Sequence, residues 1–224
     1  MYLIIMCCYR GKHTPPGDEK FRVTHKAIKD KDIDAFNVLP AVTIRDPLFW
    51  LQSMCKHPYT AVWQEGDHCP DFNPDTLYLK TKVTYSDFSR QHDSILHHWN
   101  DYYNEYLTAD FPRLLVRYED LLFHPKELTT SVCECAGGKM KEDGSFKFIV
   151  DTAKKGTAAH GSAATRTGYV DAMIKYGNEQ KRYAKYVAKR DLEFIRDHGD
   201  ANLMTLLHYP AADPEKLPAA AAVP

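Results

Sequence analysis

Arg45 and Ser53 are the residues of this 224-residue chain whose types and spacing are best suited to chemistry, a guanidinium and a hydroxyl eight positions apart that bracket the start of a helix. They lie in Val42-Thr43-Ile44-Arg45-Asp46-Pro47-Leu48-Phe49-Trp50-Leu51-Gln52-Ser53. The β-branched apolar text before Arg45 reads as a buried strand. Asp46 is a helix-capping residue type, and Pro47 suits a first helical turn, where its missing N–H has no partner to lose. A cation at the carboxyl end of a strand, followed at once by a helix N-terminus, gathers a charged fork, free backbone N–H groups and the positive end of a helix dipole. Phosphate is the natural ligand of such a junction. Ser53, two helical turns past the cap, shares its face and adds one neutral hydrogen bond. The same residues also suit an ordinary cap whose Arg makes a surface ion pair, so the neighbouring segments must decide.

The elements that must position these side chains follow from pattern. Met1-Tyr2-Leu3-Ile4-Ile5-Met6-Cys7-Cys8 is apolar but far shorter than the ~20 residues that span a bilayer, and it lacks the flanks of a signal peptide, so it reads as a buried strand. Residues 11–19, with Pro15-Pro16-Gly17, read as a loop, and Phe21-Arg22-Val23-Thr24 as a strand. Across residues 86–107, Ile95, Trp99, Tyr102, Tyr103 and Tyr106 recur at three- and four-residue steps, which predicts a long helix with one core-facing side. Leu114-Leu115-Val116-Arg117-Tyr118 is a further strand, and His124-Pro125 opens a helix that ends near Gly137-Gly138. Beyond about residue 150 comes a Lys-, Gly-, Ala- and Ser-rich loop, then short helices at residues 180–187 and 191–198. Strands separated by helices imply a parallel α/β sheet. One domain over residues 1–210 is expected, with an Ala- and Pro-rich tail, residues 211–224, expected to be disordered.

Composition narrows the function classes. With 29 basic against 30 acidic residues, bulk electrostatics offer nothing to a nucleic acid, and any anion site must be local. Six cysteines are compatible with one or two bridges and leave the compartment open. Cys55 with His57, His68 with Cys69, and Cys133-Glu134-Cys135 contain ligand types but form no paired zinc knuckle, so no metal is expected.

Taken in order, the motifs resemble the sulfotransferase family, which moves a sulfuryl group from 3′-phosphoadenosine 5′-phosphosulfate (PAPS) onto an acceptor. In that family a strand ends in Arg, often as Arg-Asp-Pro, and a Ser eight positions later joins the Arg on the 3′-phosphate; Arg45 and Ser53 match this spacing. Arg117-Tyr118-Glu119-Asp120-Leu121 is similar to a family segment at the end of a later strand and takes a structural role, since carboxylates would repel phosphate. Val23-Thr24-His25 resembles the Lys-Thr-His of several members, in which the His is the general base, although Val23 stands in the place of Lys. An imidazole with an ordinary pKa near ~6.5 can accept the acceptor's proton at neutral pH. Other branches use Glu, which makes Glu19 a rival, and by residue type alone His25 is one of eleven histidines. Lys154-Lys155-Gly156, followed by Arg166-Thr167-Gly168, is similar in character to the loop that folds over PAPS, with a solvated loop as the plainer alternative, more for Arg166 than for Lys154 and Lys155.

The resemblance implies an α/β fold, a P-loop-like parallel sheet flanked by helices, with PAPS as co-substrate, a small-molecule or carbohydrate acceptor, no metal and no nucleic acid. It covers about residues 10–208 and lacks the family's first βα unit, whose Gly-rich loop wraps the 5′-phosphosulfate; Gly11-Lys12-His13-Thr14 is no substitute. A truncated product with impaired turnover is the corresponding expectation. The alternative is a non-catalytic nucleotide-binding or interaction protein that presents Phe49, Trp50, Tyr59 and Trp63 to a partner. In the enzyme reading, Trp50, Met54, His57, Tyr59 and Trp63 line the acceptor site. A P-loop kinase is set aside for want of a Walker loop. Family members occur in the cytosol and in the Golgi, so localisation stays open.

Overall fold

The computed structural model describes residues 41–64, 66–73, 80–85, 88–110, 113–135, 144–146 and 168–218. The strands expected at residues 1–8 and 21–24 lie outside them. Contacts divide the described residues into two compact units, one holding those within 41–44 and 113–178 and the other those within 45–110 and 179–218.

In the first unit the apolar run forms β1 (Ala41–Ile44), which pairs in parallel with β5 (Leu114–Arg117). The register runs from Ala41 opposite Leu114 to Ile44 opposite Arg117. The chain leaves β5 straight into α3 (Tyr118–Phe123), whose first turn carries Glu119 and Asp120, the sign a helix N-terminus favours. Next come α4 (Pro125–Cys135) and α5 (Tyr169–Gly177). Val116, Leu121 and Val132 form the core, joined by Ala41, Leu114 and Leu128, and Tyr169 donates to the Leu122 carbonyl at 2.6 Å. The result is a small parallel sheet of two strands flanked by helices, with mixed α/β character.

The second unit begins with α1 (Pro47–Lys56), then β2 (Ala61–Val62), β3 (Thr81–Thr84) and β4 (Ser89–His92), which form an antiparallel sheet in that order. This sheet is absent from the sequence-based expectation, which placed residues 86–107 in one long helix. The helix is shorter: α2 (Ile95–Thr108) starts where Ser94 accepts a hydrogen bond from the His97 N–H. The three- and four-residue spacing picks out most of its inner face: Ile95, Trp99, Tyr103 and Tyr106 are buried, while Tyr102 is half-buried. After α6 (Glu179–Tyr183), α7 (Lys189–His198) and α8 (Ala201–Leu206) comes a 3₁₀ turn, Pro214–Lys216. The tail expected to be disordered from Ala211 is therefore ordered through residue 218. Ala212 and Pro214 are buried, and Asp213 caps the turn by accepting from the Glu215 N–H. Its Ala- and Pro-rich composition hid a segment that packs against the core. Among the described residues no helix is long and apolar enough to cross a membrane.

Two cross-links define how residues 55–73 are held. Cys55 and Cys69 form a disulfide. Asp191, with no exposed surface, accepts from the Phe72 N–H at 2.9 Å and pairs with His68 Nε2 at 2.5 Å, while Phe72 stacks on Phe194.

Histidines collect on and around α2, with the His92 and His98 rings 4.7 Å apart and those of His97 and His198 5.8 Å apart. Burial holds His97 below its usual 6.5, with Asp93 opposing and His198 reinforcing the shift. A hydrogen bond from His92 holds Asp101 below its usual 3.8. Both groups bind protons more readily when unfolded, so acidification costs stability. The His97 contribution is intact above its ordinary 6.5 and is lost as pH falls below that value, whereas the Asp101 contribution is lost only as pH falls below 3.8. The midpoint of thermal unfolding is expected to fall by a few degrees between about pH 7 and pH 5, and the fall should shrink in His97→Gln. A flat profile over that interval contradicts the reading.

Candidate functional site

The chain passes from β1 to α1 through two residues, Arg45 and Asp46, and the local sequence fixes both. Asp46 Oδ1 accepts from the Leu48 N–H at 2.8 Å and the Phe49 N–H at 3.4 Å, and Pro47 takes the first helical turn. Capping of this kind is worth ~1 kcal/mol. It also corrects one expectation: the first-turn N–H groups of Leu48 and Phe49 are occupied by the cap. An anion here would rely on side chains more than on those amides.

Arg45 and Ser53 do meet. Arg45 Nη1 donates to Ser53 Oγ at 2.9 Å, and Ser53 Oγ in turn donates to the Phe49 carbonyl at 3.1 Å. Both residues are half-buried. The Arg45 backbone is held from α2, where Trp99, 1% exposed, donates its indole N–H to the Arg45 carbonyl at 3.2 Å. α1 is held as well. Tyr186 donates its hydroxyl to the Leu48 carbonyl at 3.0 Å, and Gln52 Nε2 donates to the Arg182 carbonyl at 2.7 Å. Burial pushes the Tyr186 phenol well above its usual range, with the Asp46 charge adding to the effect, so it remains a neutral donor.

Sequence reasoning missed Arg182. Its Nε donates to Asp46 Oδ2 at 2.8 Å in a buried ion pair, although 136 residues separate the two in the chain. No local signal could have found it, because the pairing depends on how α6 packs against α1.

The other predicted positions divide. His25, Lys154, Lys155 and Gly156, with Glu19 and Arg166, lie outside the described residues. Of the aromatic set, Phe49 and Met54 are buried in the core and cannot present themselves to an acceptor or partner. Trp50 is half-buried with its ring 5.9 Å from His98, and Trp63 packs against the core cluster. Tyr59 is 55% exposed and sits at a positive φ of 56°, a backbone region rarely adopted by a bulky residue. His57 is exposed beside it.

Ligand-type residues that could hold a metal come together at His68, Asp71 and Asp191, whose ligand atoms lie within 4.8 Å of one another. Internal donors already engage these oxygens. Asp71 accepts from the Asn73 and Asp67 N–H groups and from Arg190, and Asp191 from Phe72 and His68. That is the pattern of a loop lock. Cys55 and Cys69 are bonded to each other, so neither offers a thiolate.

No family model, curated protein or solved structure matches this chain.

Proposed function

We propose that the chain binds the 3′-phosphate of an adenine nucleotide at Arg45 and Ser53, and that the nucleotide is PAPS, whose sulfuryl group passes to a hydroxyl or amine acceptor. The observation that supports this most is the 2.9 Å contact between Arg45 Nη1 and Ser53 Oγ. A phosphate monoester entering beside that contact can accept from Arg45 directly, and from Ser53 once its one hydroxyl proton turns away from the Phe49 carbonyl. The strand–Arg-Asp-Pro–helix pattern and its eight-residue spacing add the resemblance to sulfotransferases.

In the proposed reaction the acceptor oxygen or nitrogen attacks sulfur. The bond from sulfur to the bridging oxygen breaks, its electron pair stays on that oxygen, and 3′,5′-adenosine bisphosphate departs. The acceptor's proton passes to His25. Lys154, Lys155 and Gly156, by their resemblance to the family's Arg-Lys-Gly loop, are proposed as further nucleotide-binding residues.

Incubation with sulfur-labelled PAPS and a panel of phenolic and carbohydrate acceptors tests transfer. Labelled product and released bisphosphate are expected. His25→Ala should lower transfer about 100-fold or more while leaving nucleotide affinity within about twofold. Nucleotide binding without any transfer to the panel overturns the enzyme reading in favour of a non-catalytic nucleotide-binding protein. Parallel loss of binding in His25→Ala removes His25 from the role of base.

A further inference from the structure

Asp46 poses an electrostatic problem for an anion site. Asp46, 4% exposed, is the residue next to Arg45 in the chain, and a buried carboxylate near a bound phosphate dianion repels it through poorly screened surroundings. The helix cap nevertheless requires an oxygen acceptor there. Arg182 supplies the opposite charge. It is 5% exposed, and besides Asp46 Oδ2 it donates from Nη1 to the Tyr183 hydroxyl at 2.8 Å and the Ala211 carbonyl at 3.3 Å, and from Nη2 to the Pro210 carbonyl at 2.5 Å. Asp46 is the charged group among these partners, so the two residues balance each other. The Arg182 carbonyl also accepts from Gln52, the neighbour of Ser53. One residue of α6 thus restrains the chain beside Arg45 at one end of the pair and beside Ser53 at the other.

We infer that Arg182 is a positioning residue of the nucleotide site. It cancels the Asp46 charge while leaving Asp46 as the cap, and it keeps α1 oriented so that Arg45 and Ser53 face one phosphate. The inference rests on the 3′-phosphate reading above. Arg45, Asp46 and Arg182 together carry one net positive charge, which favours a 3′-phosphate; without Arg182 that sum falls to zero and a buried carboxylate is left beside the ligand.

The test is titration with 3′,5′-adenosine bisphosphate and with 5′-AMP of the wild type, Arg182→Met, Asp46→Asn and the double variant, with folding checked by near-UV circular dichroism. Arg182→Met is expected to weaken bisphosphate binding on the order of tenfold or more and 5′-AMP binding much less. Adding Asp46→Asn should restore most of the loss, because Asn still caps a helix and leaves no charge to balance. A purely structural role would weaken binding of both nucleotides alike, so the selective loss and recovery for the bisphosphate is what separates the two.

Wild-type-like binding by a folded Arg182→Met overturns the inference, as does a folded double variant no better than the single. If Arg182→Met does not fold, Asp46→Asn decides. Bisphosphate binding at least as tight as wild type supports the inference, and weaker binding overturns it. A wild type that does not distinguish the two nucleotides brings down the 3′-phosphate reading, and this inference with it. That pattern differs from discrimination retained in the wild type but indifferent to Arg182.

Discussion

Arg45→Ala is expected to weaken binding of 3′,5′-adenosine bisphosphate by about 10- to 100-fold while changing 5′-AMP binding little, since a hydrogen bond to a charged group contributes ~1.5–3 kcal/mol. The effect should be selective because the guanidinium is assigned to one phosphate. Ser53→Ala removes a neutral donor and should cost less, on the order of tenfold at most. The two losses should not add, because the groups touch at 2.9 Å and position each other. Arg45→Lys keeps the charge but loses the planar fork, and should fall between wild type and alanine. The fold should survive all three changes. Asp46 still caps α1, and Ser53 is a half-buried side chain whose other bond stays within its own helix. Isothermal titration of each variant with both nucleotides checks the pattern, and an equal loss for the two nucleotides removes Arg45 from the 3′-phosphate.

Removal of the Cys55–Cys69 disulfide is expected to have the largest effect on stability. The bond closes a segment with a sequence separation of 14. A loop of that size restricts the unfolded chain by ~3 kcal/mol in the chain-entropy model. For a chain of this length that corresponds to a fall of about 10 °C in unfolding midpoint. Cys55→Ala/Cys69→Ala should still fold, because His68, Phe72 and Asp191 hold the same segment through bonds that do not involve sulfur. The loss should reach the site in attenuated form, since Cys55 follows Ser53 by two residues and the His57 N–H closes the helix on the Ser53 carbonyl at 3.0 Å. Thermal unfolding with and without reductant, together with peptide mapping of the unreduced chain, checks this. Identical midpoints, or Cys55 and Cys69 recovered as free thiols, contradict it.

What the sequence revealed, and what it hid, follows from the range of the forces involved. The junction of β1 and α1 was legible because its determinants are local: β-branched residues, then a capping Asp, then Pro at the first turn. The inner face of α2 was legible for the same reason, since its period is written into consecutive residues. The antiparallel sheet was not. Ser89-Arg90-Gln91-His92 carries no apolar alternation and becomes a strand because β3 is there to pair with it. The disulfide partner of Cys55 was equally hidden, because spacing alone gave Cys55 and Cys69 no preference over the other cysteines. Arg182 was invisible as a site residue, because a cation in a short basic helix looks solvated until Asp46 is found beside it. Long-range polar pairs decide how the candidate site is braced, and they leave no periodic trace.

The most direct measurement is the affinity of the unaltered chain for 3′,5′-adenosine bisphosphate and 5′-AMP at one fixed ionic strength. Binding at least about tenfold tighter to the bisphosphate is expected if Arg45 and Ser53 grip the ribose 3′-phosphate. Equal affinity for the two nucleotides, or none for either, contradicts a 3′-phosphate site at that pair.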